Sequence, residues 1–152
     1  MGMSFGSLPE NMKDFLFPSS SPVDFEPLEA HKSVDRILAT KAERAFLTHG
    51  GVWEDMSLGA MQLHYGIQQF ELIMQELISR IKDAEKRGLP TDGDDLYNIA
   101  LSRMKRFFEE ELQKHGLKHE DATLWELLST DIELNAQGLV VAAHNFKDKP
   151  ML

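Results

Sequence analysis

From Ala60 to Ala84 the apolar residues fall at alternating intervals of three and four: Ala60, Leu63, Ile67, Phe70, Met74, Leu77, Ile81 and Ala84. That spacing keeps every one of them on a single helix face. It predicts one long helix from about Asp55 to Arg87, roughly 50 Å at 1.5 Å per residue, with Asp55 or Ser57 supplying the capping oxygen. Leu72, Ile73 and Ile78 lie beside the stripe and widen it, so the helix is expected to pack on at least two neighbours. Gly59 and Gly66 interrupt it at a cost of about 1 kcal/mol each relative to alanine in an exposed position. A close backbone approach by another segment is the expected compensation.

The same periodicity extends to the flanks. Pro27, favoured in a first helical turn, opens a predicted helix that carries Ala30, Val34, Ile37, Leu38, Ala42, Ala45 and Phe46 and stops at Gly50-Gly51. A connection holding Trp53 follows. After the Gly88-Leu89-Pro90 break, the acids of Thr91 to Asp95 cap a helix with Tyr97, Leu101, Met104, Phe108 and Leu112 on one face and Ala100 and Phe107 alongside, ending near Gly116. Thr123 and Glu126 fit a capping box for a fourth helix; Thr130 and Glu133 fit it again, so residues 123–146 read as one helix or two. Leu139 to Ala143 has strand character but no matching strand to pair with, and is read as helical. Phe146 is the last packed residue. The expected fold is all-α: a four- to five-helix, mostly antiparallel bundle over residues 27–146, with an extended arm at 1–26 and a frayed tail at 147–152.

The arm resists regular structure, with Pro9, Pro18, Pro22 and a run of serines at 19–21. It also carries Phe5, Leu8, Phe15, Leu16 and Phe17, more apolar surface than a solvated tail normally exposes. These five residues are the candidate interaction residues, expected to dock in a groove of the bundle or on a neighbouring subunit.

Composition removes several chemistries. No cysteine is present among the 152 residues, which excludes disulfides, thiolate nucleophiles and cysteine metal sites. A net charge of -9 opposes attraction to phosphate backbones, so no nucleic-acid partner is expected. No apolar run is long enough for a bilayer, and residues 1–18 lack the apolar core of a secretory signal, so no membrane association and a cytoplasmic location are expected.

The remaining polar clusters have structural explanations. No glutamate is followed three residues later by histidine, as a di-iron bundle requires, and Glu111 with His115 has the spacing of a helix-surface pair. His115, His119, Glu120 and Asp121 are the densest group of metal-ligand types, but Gly116 interrupts the helix that would align them. Asp92, Asp94 and Asp95 suit a helix N-terminus and lack the twelve-residue frame of a calcium loop. Glu109, Glu110 and Glu111, followed by Glu126, Asp131 and Glu133, are the acids with which a divalent-metal hydrolase could work. They depart from the Glu-Glu-x-x-Glu and Glu-x-x-Asp frames of all-α nucleotide pyrophosphohydrolases, since Gln113, Ser129 and Ala136 stand where acids are needed. No Walker loop, nucleophile elbow or dinucleotide fingerprint occurs. No catalytic residue, metal or cofactor is assigned.

What remains is surface recognition. The expected function is a non-enzymatic cytoplasmic interaction protein, an adaptor, chaperone-like or regulatory subunit, that contacts a protein partner through a helix face or through an arm in a groove; the surplus length of the long helix also allows a homodimer. The alternative is a small divalent-metal-dependent hydrolase or ligand sensor built on the acids of the third and fourth helices.

Overall fold

The computed structural model describes residues 15–20, 25–48, 51–91, 94–116 and 122–149. The chain is mostly helical, with helices α1 (Pro27–Ala39), α2 (Met56–Lys86), α3 (Asp94–Lys114) and α4 (Ala122–Phe146), and a small antiparallel hairpin of β1 (Ala45–Leu47) and β2 (Gly51–Trp53) between α1 and α2. The predicted long helix is α2, 31 residues, whose cap is Asp55: its side chain accepts the Leu58 N–H at 2.9 Å. Its stripe is the centre of the core. Phe70, Leu77 and Ile81 are wholly buried, Ile73 and Ile78 widen the buried face, and Leu72 stays exposed.

α2 packs on α1, α3 and α4, and α3 packs in turn on α4. Side chains tie these elements in a definite sense. Glu76 meets Arg103 and Tyr65 meets Lys114, so positions that rise along α2 fall along α3 and the two run antiparallel. Lys147, just past α4, pairs with Glu85 near the end of α2. The centre holds a chain of aromatic rings in edge contacts: Phe17 to Phe108 at 4.8 Å, Phe108 to Phe107 at 5.4 Å, Phe107 to Phe70 at 5.6 Å and Phe70 to Phe25 at 6.0 Å.

The first helix is shorter than its apolar spacing predicts. α1 ends at Ala39, and Ala45 and Phe46 are strand, not helix. Thr40 explains the stop: its hydroxyl donates to the Ile37 carbonyl at 2.7 Å and accepts the Ala42 N–H at 3.3 Å, taking over hydrogen bonds that a continuing helix would make, while Lys41 turns into the left-handed region at φ 55°. Trp53, placed in a connection by the sequence, lies in β2. The expected, mostly helical chain thus carries one short hairpin that the sequence did not predict.

Two further expectations change. α4 is a single helix that starts at Ala122, so Thr123 lies inside it and not at its cap, and the second capping box at Thr130 is helix interior. Of the α2 and α3 methionines, Met61 is exposed, whereas Met74 and Met104 are buried. Phe15, Leu16 and Phe17 are buried within this chain; Phe5 and Leu8 lie outside the described residues.

The glycines of α2 receive the expected close approach. A methyl group on Gly66 would overlap the Pro18 ring, and one on Gly59 would stand 2.5 Å from the Trp53 indole nitrogen and 3.0 Å from Leu16. The arm and the hairpin thus reach the α2 backbone where side chains are missing.

Candidate functional site

A groove opens where α1, the hairpin, α2 and the N-terminal segment meet. Ala30, Ser33, Val34, Ile37 and Leu38 form the α1 wall; Met56, Gly59, Ala60, Leu63 and Ile67 form the α2 wall; Ala45, Phe46, Leu47 and Trp53 close the hairpin side; Leu16, Pro18 and Ser19 close the arm side. The enclosed space is about 270 Å³. It exists because the sequence terminates α1 early: a helix continuing to Phe46 would not return the chain as a hairpin across the mouth.

The hairpin's register decides which residues face the groove. Ala45 and Leu47 are half-buried and Trp53 is buried, and these alternate with Phe46 and Val52, a directly opposed pair that remains exposed. Phe46 keeps 77% of its surface in solvent, Ile37 51% and Leu38 39%. A single exposed apolar residue carries no message, but three at one mouth do. The Trp53 indole N–H donates to the Asp55 carbonyl at 2.6 Å, which fixes the floor of the groove to the cap of α2.

Beside the groove, on the next residues along α1 and α2, His31 and His64 meet. Their Nδ1 atoms are 2.7 Å apart, and the His64 Nε2 lies 3.1 Å from Asp35 Oδ1. The ring centroids are 5.0 Å apart with the planes 18° from parallel. With nitrogens so much closer than centroids, the rings meet edge to edge. Desolvation by burial lowers the His31 pKa from the usual imidazole value, the charge of His64 lowers it further, and Glu71 and Asp35 oppose both.

Two of the acids singled out in the sequence are held by basic residues of their own helix. Glu110 accepts from Arg106 at 2.7 Å, and the buried Glu111 accepts from Lys114 at 2.5 Å, a bond that raises the lysine's pKa. Glu126 and Glu133 are exposed on α4. Among the described residues no three histidine, aspartate or glutamate side chains are placed to share a metal ion; Asp92, His119, Glu120 and Asp121 lie outside those residues. Asp94 and Asp95 occupy the first turn of α3, where they face its dipole favourably.

Of the candidate interaction residues, Leu16 forms part of the groove, while Phe15 and Phe17 pack on Phe108 behind it. Sequence reasoning did not find the groove's other walls. Ile37, Leu38 and Phe46 carry a signal, since they share the apolar spacing of Val34 that predicts a helix through Phe46. No protein-family model, curated protein or solved structure matches the chain. Among the described residues no helix is long and apolar enough to cross a membrane.

Proposed function

We propose that the chain is a non-enzymatic interaction protein, an adaptor or regulatory subunit of the cytoplasm, whose groove between α1, the hairpin and α2 receives an apolar anchor from a partner protein. In this reading the helices form a mostly antiparallel bundle, and the N-terminal arm completes the receiving surface. The observation that carries it is the apolar mouth itself: Ile37, Leu38 and Phe46 stand exposed around a cavity walled mostly by apolar side chains. Its size selects the occupant. Ligand pockets usually span about 300–1,000 Å³, so a space of about 270 Å³ is small for a whole ligand but suits one or two large side chains of an extended segment, which is how buried anchors dominate protein interfaces.

A photoreactive phenylalanine analogue at Phe46, compared with the same analogue at the exposed Glu133 of α4, tests this in cells. The expected result is a specific adduct from position 46, lost in a Leu38→Glu variant, whose cross-linked partner peptide contains a large apolar residue. Equal labelling from both positions, or none from position 46, would overturn the proposal. A cross-linked homodimer would replace the foreign partner by a second copy of this chain. The metal-dependent alternative would require Glu110 and Glu111 to leave Arg106 and Lys114.

A further inference from the structure

The contact between His31 and His64 restricts where their protons lie. A nitrogen pair 2.7 Å apart needs one N–H and one lone pair. Asp35, a carboxylate, only accepts, so the His64 Nε2 at 3.1 Å carries a hydrogen. If His64 is neutral its Nδ1 is bare and His31 donates; if His64 is protonated its Nδ1 donates and His31 accepts. The bond therefore survives with the pair neutral or holding one extra proton. A second extra proton leaves two N–H groups facing each other and two positive charges between the helices. A metal ion does not fit the same atoms, because the nitrogens point along the line that joins them and leave no space for an ion at the usual separation of about 2.0–2.1 Å from each.

We propose that His31 and His64 form a one-proton latch that holds α1 against α2, and that a second proton releases it and reshapes the apolar groove. α1 is thinly anchored: only Pro27 and Val34 of its thirteen residues are buried. The latch sits in the second turn of the helix, and Ala30, Ser33, Val34, Ile37 and Leu38 of the same helix form one wall of the groove. The groups facing His31 are His64 and Glu71 from α2 and Asp35 from α1 itself. Both carboxylates favour the first proton; burial and the neighbouring imidazole oppose the second. Burial and the charge of His64 both lower the His31 pKa, so a charge on His31 beside one on His64 is opposed.

The effect on the groove rests on the binding role proposed above, whereas the latch does not, so two readouts are needed. Hydrogen exchange of the full chain, expressed as protection factors for the α1 amides, should show a loss of protection between about pH 7.5 and pH 5, the range in which histidine takes up its proton. A His31→Leu, His64→Leu double variant should keep the same protection at both values. In parallel, the affinity of a neutral solvatochromic dye for the groove should change across this range in the wild-type chain and not in the double variant. Unchanged α1 protection in the wild type, or an equal loss in the double variant, would overturn the latch. Loss of α1 protection with a constant dye affinity would overturn the control of the groove, and absence of dye binding at both values would overturn the binding role while the exchange data still decide the latch.

Discussion

Ser20 and Asn135, 115 positions apart, fasten the N-terminal segment to the middle of α4: the Ser20 N–H donates to Asn135 Oδ1 at 2.6 Å, and the Ser20 hydroxyl lies 2.9 Å from the Asn135 carbonyl oxygen. Both residues are buried, at 0% and 1% exposure, so neither can exchange its partner for water. An asparagine inside a helix core is costly unless paired, and here a segment without regular structure supplies the pair.

Asn135→Leu keeps a side chain of similar size and strands the Ser20 N–H in an apolar site. The expected cost is about 1–3 kcal/mol, the desolvation penalty of an unpaired buried donor. Chemical denaturation measures it, and a midpoint equal to that of the wild type would show that Ser20 leaves the core without consequence.

Gly66→Ala probes the close approach of Pro18. Overpacking costs about 1–3 kcal/mol and the gain in helix propensity returns about 1, so a net loss of up to about 2 kcal/mol is expected. The proline ring cannot rotate away, which makes the interpretation testable by a double-mutant cycle. Pro18→Ala in the Gly66→Ala background should recover part of the loss; additive effects would place the strain elsewhere.

How much of this was legible in the sequence depends on range. α2 was, because its stripe repeats for seven intervals and its Asp55 cap is local. The end of α1 was not: Ala42, Ala45 and Phe46 keep helical spacing, and the stop depends on how the Thr40 side chain and the Lys41 backbone settle, which periodicity does not encode. The groove inherits that failure, since it is built by the hairpin that follows the stop. His31 and His64 are 33 residues apart with no motif between them. Asn135 did leave a trace, because Ile132, Ala136, Leu139 and Ala143 share its helix face and a polar residue among them asks for a partner.

Glu76 provides a pH-dependent contribution with a definite sign. The Arg103 guanidinium, bonded at 2.8 Å, holds its carboxyl below the usual value; partial burial pulls the other way and Arg80 adds to the lowering. A carboxyl whose folded pKa is depressed stabilises the fold above the unfolded value of 4.5, and this contribution is lost as pH falls through the lower folded value. Both partners keep solvent contact, so a few tenths to about 1 kcal/mol is expected. The stability difference between wild type and Glu76→Gln should be present near neutral pH and shrink progressively as the pH falls below 4.5, through the depressed folded value. A difference that persists at the acid end would assign the effect to packing.

Phe17 tests whether the arm belongs to the fold or is held ready for a partner. Its ring is fully buried, 4.8 Å from Phe108 and 5.7 Å from Phe15, whereas a residue reserved for a partner would be expected to keep its ring accessible in the free chain. Phe17→Ala is therefore expected to destabilise the isolated protein by about 3–5 kcal/mol, the range for deleting a buried aromatic ring. Phe46→Ala removes a ring that is mostly in solvent and should change stability by less than about 0.5 kcal/mol. Denaturant titration of the two variants side by side gives the contrast. If Phe17→Ala proves neutral, the arm's aromatic residues do not hold this core together and become available for contacts between molecules; if Phe46→Ala proves costly, the hairpin is part of the folding core and its outer face is not a surface held free for a partner.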